Sequence, residues 1–506
     1  MMNKKLIKNY LIKLTGLVLF YLFYSWILPD IGTQNTSTGG SDPLENVLLL
    51  GLTIASFIWV LPIIISGLES FKMFFTSPIF KRRWNKFKTL KRGYYAFIFV
   101  IIIFGLSFFS EFLINSKAIF VKYQGKIHFT LFSFESARAF GLKGYGIPNY
   151  RRMKEIYNVR NQERRERIAN NQATEEDKKY LEWGDDWVLL PIYPYGPLES
   201  LLDELPCRPP HPPSWAESKW RQEFFDEGLY VLPKKMPSKQ EIAEKYGRPQ
   251  WQDLDQVDLY HRLALDGLLP LKEGVKKPGT FQHLLGTDDR GRDVFARMVY
   301  GFRTSVSFAL VVTFLCYMIG ISIGALLGFY GGKFDIIMQR IVEIWSAMPF
   351  LYTVMIFAAI MIPNFWMLVI ILVLFKWMGM TYYIRGEFLR EKSKDYVAAA
   401  RAIGCTDGAI IFKHILPNAL TPVISFAPFA VVANIGALVS LDFLGFGLPA
   451  PTPSWGELLG QGLGNLHKEW LILSPTVAMF LTLLLVSFIG EAIREAFDPK
   501  QYSRLR

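Results

Sequence analysis

Residues 304–329 read TSVSFALVVTFLCYMIGISIGALLGF, a stretch without a charged side chain. At 1.5 Å per residue, a helix of this length is longer than the roughly 30 Å of bilayer hydrocarbon. The whole chain has 506 residues, of which 51% are hydrophobic and 20% charged. We therefore predict a polytopic membrane protein, and the composition excludes a disordered tail. Cys207, Cys316 and Cys405 lie too far apart for a disulfide framework or a CxxC zinc cluster.

The net charge of +12 is unevenly distributed along the chain. Residues 115–302 hold 29 basic and 27 acidic residues, which leaves 27 basic and 17 acidic residues near the apolar stretches. A basic excess in loops beside membrane spans is the positive-inside signature of cytoplasmic loops. The charge therefore indicates a membrane protein with lipid around it, and it argues against a nucleic-acid partner.

The apolar stretches and the charged loops between them predict eight spans with both termini in the cytoplasm. The spans are at residues 14–28, 47–65, 95–113, 304–329, 341–361, 366–383, 420–441 and 471–489. The third and fourth spans are separated by a long segment without any apolar run of membrane length, which predicts an exported insert. Within it, the polar stretch 150–179 is typical of a solvent-facing helix or a loosely ordered arm.

These spans divide the chain into five parts. Residues 1–76 hold two extra amino-terminal spans, and residues 77–114 hold a basic cytoplasmic segment with the first core span. Residues 115–284 form the extracytoplasmic insert. Residues 285–500 form a core with five spans, and residues 501–506 are a cytoplasmic tail.

The cytoplasmic loop 385–418 contains DYVAAARAIG at 395–404 and ends its next apolar-periodic run with HILP at 414–417. Alanine is the strongest helix former, and Gly404 suits the position that follows a helix end. Thr406 or Asp407 is suited to cap a second helix, and Pro417 should limit the continuation of that helix. The loop is therefore predicted to be a helix, a break and another helix.

The first of these helices has the composition of a docking element. Ala398 and Ala399 would allow the surface of another protein to approach the backbone closely, while Asp395 and Arg401 could fix the register by charge. An ordinary amphipathic helix at the membrane surface has the same composition, and both interpretations stay open at this point.

A charge-dense stretch, LGTDDRGRDV at 285–294, precedes the span at 304–329. Its acidic and basic side chains could pair with one another or with a partner subunit. A structural ion-pair cluster that orders the entry to the span is favoured over direct contact with substrate. The residues singled out here are Gly286, Thr287, Asp288, Gly291, Arg292, Asp293 and Arg297.

Lys376 lies inside an otherwise apolar run, where a central lysine costs about 2.5–3.5 kcal/mol on insertion scales. The favoured interpretation is a side chain that extends toward the cytoplasmic headgroups, and the alternative is a place on a transport pathway or a subunit interface. Arg340 and Glu343 are one helical turn apart and are expected to form a local pair.

Motifs of catalysis and of nucleotide binding are missing from the sequence. No GxxxxGK[ST] loop is present, so the chain itself should not hold ATP phosphates. The six histidines show no HxxxH or HExxH spacing, and no metal site, resident cofactor or catalytic residue is predicted.

The loop at 398–417 resembles the EAA loop of binding-protein-dependent ABC importer permeases, which reads Glu-Ala-Ala, three residues, Gly, nine residues and a hydrophobic-x-Leu-Pro ending. Ala398 stands where the family has Glu, and His414 takes the hydrophobic position. The stretch 285–305 looks like the GTDxxGRD signature of C-type subunits of dipeptide and oligopeptide permeases. Residues 77–126 and LLPIYPYGP at 189–197 are similar to the YejE-type branch, which is linked to microcin C and oligopeptide uptake.

The resemblance implies an all-α, type I importer permease with a six-span core in a bacterial inner membrane, to which this chain adds two amino-terminal spans and the insert. It implies a non-enzymatic subunit for oligopeptides or peptide-like compounds that forms half of the pathway. Its partners would be a second permease, ATPase subunits that use ATP and Mg²⁺, and an extracytoplasmic binding protein. The segment 398–404 would be the coupling helix. The rival classes are a secondary transporter or channel without an ATPase, and a scaffold whose insert is the working part.

Overall fold

The computed structural model describes residues 78–123, 125–131, 133–142, 146–170, 186–202, 205, 209–232, 237–273, 275 and 283–497. The spans predicted at 14–28 and 47–65, and the tail at 501–506, lie outside these residues. The described part is mostly helical, as predicted. The first helices are α1 (Pro78–Thr89), α2 (Lys91–Ser107) and α3 (Ser110–Leu113).

The insert and the core follow in order along the chain. The insert holds β1 (Phe120–Tyr123), β2 (Lys126–His128), α4 (Met153–Ala169), β3 (Trp187–Leu189), α5 (Glu217–Asp226), α6 (Lys239–Lys245) and α7 (Gln256–Leu265). The core holds α8 (Val294–Tyr330), α9 (Gly332–Ser346), α10 (Phe350–Ile360), α11 (Phe365–Lys392), α12 (Asp395–Ala402), α13 (Asp407–Ala409), a π-helical segment (Ile410–Ile415), α14 (Leu416–Phe443), α15 (Trp455–Gly464) and α16 (Trp470–Phe497).

Four helices of the described chain, α8, α11, α14 and α16, are long and apolar enough to cross a membrane. The number rises to six if each of two bent helix pairs is one span. The predictions at 304–329, 366–383, 420–441 and 471–489 fall within these four helices. Each helix extends beyond the predicted apolar stretch because polar residues continue its hydrogen-bond ladder outside the hydrocarbon.

The segment predicted as a span at 341–361 is not one continuous helix. The chain forms α9 and α10, which are bent by 67° at a short break before Pro349. Proline has no backbone N–H and restricts the residue before it, so a helix ends at this point at little cost. An apolar run shows that a segment enters the bilayer, but it does not show where the backbone turns.

The span predicted at 95–113 also ends earlier than expected, because α2 stops at Ser107. The Ser107 hydroxyl donates to the carbonyl oxygen of Phe104 at 2.6 Å, a local hydrogen bond that competes with the helix ladder. At the amino-terminal end of α2, α1 and α2 meet at an angle of 97°. The basic helix α1 therefore does not continue along the axis of the span.

The first half of the insert is a small sheet with one packed face. The strand order is β2-β1-β3 and both pairs are antiparallel. Val121 and Tyr123 point into a core with Tyr157 of α4, whereas Phe120 and Trp187 are on the opposite, exposed face. The all-α prediction did not include this sheet. The solvent-facing helix predicted within 150–179 is present as α4, and residues 171–179 lie outside the described ones.

The second half of the insert packs α5 and α7 around buried aromatic side chains, among them Trp220, Phe224 and Trp251. It is tied to the core by charged contacts. Lys468, just before α16, pairs with the buried Glu223 of α5, and Glu223 also contacts Nδ1 of His211 at 2.9 Å. The insert is thus anchored on the loop that leads into the last span.

The most extensive contact between two helices of the core joins α8 to α11. It includes three glycines, which we call the glycine stripe (Gly320, Gly324 and Gly328). A Cβ at Gly324 would lie 2.6 Å from the Thr381 carbonyl oxygen, and one at Gly328 would lie 2.5 Å from the Cβ of Phe388. Small residues four apart allow membrane helices to approach closely, because packing rather than a hydrophobic driving force holds them together. The two helices therefore form one tightly packed pair.

Candidate functional site

The charge-dense turn at 285–297 forms a buried ion-pair cluster at the start of α8. Arg292 lies 2.7 Å from Asp288 and 3.0 Å from Glu457. Arg297 contacts the same two carboxylates, at 3.4 Å in the case of Asp288. Arg297 and Asp288 are fully buried, and only 17% of the Glu457 side chain is exposed. The expected pairing within the turn is observed, and Glu457 of α15 joins it.

Asp293 completes the turn by capping α8. Its Oδ1 accepts from the backbone N–H of Ala296 at 2.8 Å, which satisfies one of the free amides of the first helical turn. Its Oδ2 accepts from the Tyr193 hydroxyl at 2.7 Å and lies 2.8 Å from Nδ1 of His283. The insert thus supplies two polar partners for the residue that starts the first span after it.

The electrostatics of the turn match an enclosed cluster. Burial lowers the pKa of Arg292, but the carboxylates of Asp288 and Glu457 outweigh this effect and the net shift is upward. Burial and the neighbouring Asp293 carboxylate raise the pKa of the Tyr193 phenol. Arg292 therefore stays charged between its two carboxylate partners, which suits a structural role.

The remaining residues of the turn are placed where a side chain would not fit or where a hydroxyl is needed. Gly286 has φ +77°, and a Cβ there would lie 2.5 Å from the His211 carbonyl oxygen. Gly291 has φ +72° and closes a tight turn. The Thr287 hydroxyl is buried and accepts from the His211 backbone N–H at 2.9 Å. The turn therefore clamps the insert onto the core.

The predicted cytoplasmic helix is present as α12, and two of its side chains hold it to the core. Val397 and Ala400 are one turn apart, are buried, and pack with Phe388 of α11 and with isoleucines of the π-helical segment. Glu391, at the end of α11, accepts from the Tyr396 hydroxyl at 2.8 Å and from Lys394 at 2.6 Å. Burial and the hydrogen bond to Glu391 raise the pKa of Tyr396 to about 12.

The break after α12 has the predicted geometry. Gly404 has φ +80°, its N–H donates to the Arg401 carbonyl at 3.0 Å, and the Cys405 N–H donates to the Ala400 carbonyl at 3.0 Å. These two bonds define a Schellman helix end. Thr406 rather than Asp407 is the cap of the next helix, since its hydroxyl accepts from the Ala409 N–H at 3.4 Å.

Pro417 does not limit the second helix, and the prediction that it would do so is wrong. The chain runs from α13 through the π-helical segment into α14 without interruption, and Pro417 lies in the first turn of α14. Proline is tolerated there because a wider π-helical turn precedes it and its missing N–H is not needed. The loop is therefore continuous with the span that follows it.

The outward face of α12 is smooth and exposed. Ala398, Ala399 and Asp395 are exposed, as are Gly404 and Asp407 beyond the helix end. Next to them Ile403 has 79% of its surface exposed, although it is a large apolar residue. Sequence reasoning missed Ile403, and its position directly before the helix-ending glycine was the available signal. A small, largely apolar surface of this kind suits contact with another protein.

The Arg401 side chain contacts the core as well as facing outward. Its guanidinium carbon lies 5.6 Å from the ring centroid of Phe329, and the Lys392 ammonium lies 5.6 Å from the same ring. Phe329 is buried at the end of α8, directly after Gly328 of the glycine stripe. The ring of Phe329 therefore links the exposed helix α12 to α8, in addition to the packing of α12 against Phe388 of α11.

Lys376 does not extend toward the cytoplasmic headgroups, and that interpretation is wrong. Its ammonium donates to Oδ1 of Asn434 at 2.8 Å, and Asn434 in turn donates to the Thr313 hydroxyl at 2.9 Å. This network joins α8, α11 and α14, because a lysine among apolar helices satisfies its donors on the nearest amide. Among the described residues no carboxylate forms an ion pair with it. Arg340 and Glu343 form the expected local pair at 2.6 Å.

The comparisons with known proteins agree with this architecture. Residues 320–502 match the family model described as "Binding-protein-dependent transport system inner membrane component". The peptidoglycan transport system permease protein YejE of Agrobacterium fabrum (strain C58) is 36% identical over 431 residues, which are 85% of this chain and 95% of the relative. The oligopeptide transport system permease protein OppC of Lactococcus lactis subsp. cremoris (strain SK11) is 37% identical over 232 residues, which are 45% of this chain and 79% of the relative.

Among solved structures, a chain of the inward-facing MetNI methionine ABC transporter aligns with a TM-score of 0.33 and 18% identity, over 40% of this chain and 96% of that chain. This structural likeness is too weak to support a conclusion.

The bundle of long apolar helices defines an integral membrane protein. The chain belongs to the family of ABC importer permeases, the inner membrane components of binding-protein-dependent transport systems. Such permeases work with an ATPase and another permease, and ATP hydrolysis belongs to the ATPase, so this subunit is not an enzyme. Family membership favours the ATP-driven importer over the secondary transporter, channel or scaffold.

Proposed function

We propose that this permease imports oligopeptides or peptide-like compounds and receives them from an extracytoplasmic binding protein. The matched relatives are named for peptidoglycan and oligopeptide transport, and both substrates contain chains of amide-linked residues. The match to the first relative extends over 85% of this chain and so includes most of the insert as well as the core. This shared length is what supports a peptide-like substrate.

The observation that carries the coupling proposal is the exposed face of α12. We propose that this face docks into a cleft of the ATPase, with the residues Asp395, Ala398, Ala399, Arg401, Gly404, Asp407 and Pro417 and the additional contact Ile403. Val397 and Ala400 hold the helix from the inside, so its outer face is free for a partner. ATP and Mg²⁺ would be bound by the ATPase alone.

The motion of the ATPases would enter the membrane through Phe329. A displacement of α12 pushes on this ring through Arg401, and Phe329 is continuous with the glycine stripe of α8. A tightly packed helix pair moves as a unit, since its close contacts do not deform gradually. The expected result is a switch between two arrangements of the bundle, which is the basis of alternating access.

The turn at 285–297 is proposed to be structural, with no contact to substrate. The guanidinium groups of Arg292 and Arg297 are buried and already paired with the carboxylates of Asp288 and Glu457. Lys376 is proposed to lie at the pathway or at the interface with the second permease, because its ammonium has an amide partner and no carboxylate partner among the residues described.

The proposed topology has both termini in the cytoplasm, with membrane lipid around the spans and the insert 115–284 outside. It retains the division into residues 1–76, 77–114, 115–284, 285–500 and 501–506. The two bent helix pairs, counted as one span each, would complete a six-span core, and the basic residues of α1 and of the loop 385–418 would lie on the same side.

The coupling proposal is tested by co-purification of the ATPase with variants of the exposed face. Ile403→Asp introduces a charge at a residue with 79% exposure, so the fold should tolerate it, and we expect at least about a tenfold loss of bound ATPase. Gly404→Asp should have a similar effect. Gly404→Asn is the matched control, because asparagine has the same size, tolerates positive φ and carries no charge.

Peptide uptake is measured in the same strains. Normal ATPase recovery and uptake in both aspartate variants would refute the docking surface. A loss that is equally large in Gly404→Asn would assign the effect to backbone strain instead. Normal docking combined with a failure to take up any peptide would leave the coupling site intact and overturn the substrate class.

A further inference from the structure

An apolar cavity of about 380 Å³ lies between α2, the start of α8, α15 and α16. Its wall is almost entirely hydrocarbon and includes Ile103, Met298, Phe302, Trp455 and Leu481. A volume of this size is in the range of small-molecule sites. The coupling and signature residues do not line it, and nothing in the proposed transport function uses it.

The cavity lies at the boundary of the membrane on the side of the insert. The uncharged stretch of α8 begins at Thr304, and the cavity contacts α8 just before it, at Met298 and Phe302. On α16 it extends down to Leu485, fifteen residues into the span. At a rise of about 1.5 Å per residue this depth is about 22 Å, which is past the midplane of a hydrocarbon core of roughly 30 Å. The cavity therefore connects the headgroup level with the hydrocarbon.

A cationic side chain lies at the headgroup end. Arg303 donates through Nη1 to the Ser107 carbonyl at 3.4 Å and to the Ser110 hydroxyl at 3.3 Å, and both serines line the cavity. Its Nη2 lies 3.5 Å from Glu111, and its guanidinium carbon lies 4.8 Å from the ring centroid of Tyr300. These contacts are long, and 24% of the side chain is exposed, so the guanidinium has donor directions left for another acceptor.

We propose that this cavity binds one acyl chain of a phospholipid from the leaflet on the insert side, with the lipid phosphate beside Arg303. An apolar slot that opens at the membrane boundary next to a guanidinium matches the two chemical parts of a phospholipid. A peptide substrate does not fit, because its backbone amides would find almost no hydrogen-bond partners on this wall. The bound lipid would fill the space between the first core span and the last one.

The experiment measures phospholipid retained by the purified full-length protein after exchange into lipid-free detergent, with quantitative mass spectrometry. Ala478→Trp and Val299→Trp fill the cavity from two different helices, α16 and α8, and both should lower retention by about tenfold. Val477→Trp is the matched control, since Val477 is the neighbouring residue of α16, is exposed and does not line the cavity. It should retain lipid like the unaltered protein.

Arg303→Gln keeps the cavity and removes the cation, and it should reduce retention by a smaller factor of about three to ten. Absence of retained phospholipid in the unaltered protein would overturn the proposal, since the cavity would then be empty or filled by protein. Equal retention in Ala478→Trp, Val299→Trp and Val477→Trp would overturn the site, and unchanged retention in Arg303→Gln would overturn the phosphate contact.

Discussion

The contact between α8 and α11 allows a sharp prediction at Gly328. In Gly328→Ala the new Cβ would lie 2.5 Å from the Cβ of Phe388 and 2.7 Å from the carbonyl oxygen of Arg385. Ordinary van der Waals contact begins near 3.4 Å, so the two helices must separate by almost 1 Å. Neither obstructing atom is the end of a flexible side chain. Overpacking of this kind costs about 1–3 kcal/mol.

Gly379→Ala is the matched control, because Gly379 is also a helical glycine of this pair but a Cβ there meets no atom within 4 Å. Both substitutions gain about 1 kcal/mol of helix propensity, so their difference isolates the overpacking. We expect Gly328→Ala to have a free energy of unfolding about 1–3 kcal/mol lower than that of Gly379→Ala, measured by denaturation in detergent micelles.

The same pair of variants tests transmission from α12. In proteoliposomes with the ATPase, Gly328→Ala should hydrolyse ATP while transporting less substrate per ATP, because Phe329 is adjacent to the separated helices. Gly379→Ala should transport normally. If the two variants agree within about 0.5 kcal/mol in stability and also agree in transport, the close packing of α8 and α11 does not have the role assigned to it here.

Three further substitutions test other contacts. Arg297→Met removes a buried guanidinium that lies between two carboxylates and should lower the free energy of unfolding by about 3–5 kcal/mol. Arg340→Met, at an exposed ion pair, should change it by less than about 1 kcal/mol. Equal effects of the two substitutions in micelle denaturation would contradict the buried cluster. Lys376→Met leaves the Asn434 amide oxygen without its ammonium donor and should lower the free energy of unfolding by about 1–3 kcal/mol. If a double-mutant cycle with Asn434→Leu shows that the two effects are additive, the hydrogen-bond network is refuted. Lys468→Met breaks the ion pair with the buried carboxylate of Glu223 in α5. Limited proteolysis should then cut the insert faster than in the unaltered protein. An unchanged cleavage rate would show that this contact does not anchor the insert.

The candidate coupling site was largely predictable because its information is local. A helix of alanines, a glycine at positive φ and a threonine cap follow from short-range preferences, and the structure has each of them at α12, Gly404 and Thr406. The outcome at Pro417 was not predictable in this way, since the π-helical segment that accommodates it depends on packing against α12 and α11.

The ion-pair turn shows where local information ends. The sequence places Asp288, Arg292 and Arg297 near one another, and they do pair. Their partner Glu457 is 160 residues away from Arg297 along the chain, and its place in the cluster depends on how α15 packs over the start of α8. No spacing rule connects residues so far apart.

The sequence by itself determined that the chain crosses a membrane repeatedly, where four of its spans lie, and which short helix has a smooth surface. These properties follow from apolar length and local helix preference, which act within a few turns. Only the tertiary structure decided that Lys376 is bound to an amide inside the bundle, that three glycines bring α8 and α11 into contact, and that a cavity lies beside Arg303. Each of these depends on which helix faces which, and in a bilayer that choice is made by close packing and hydrogen bonding between segments distant in sequence.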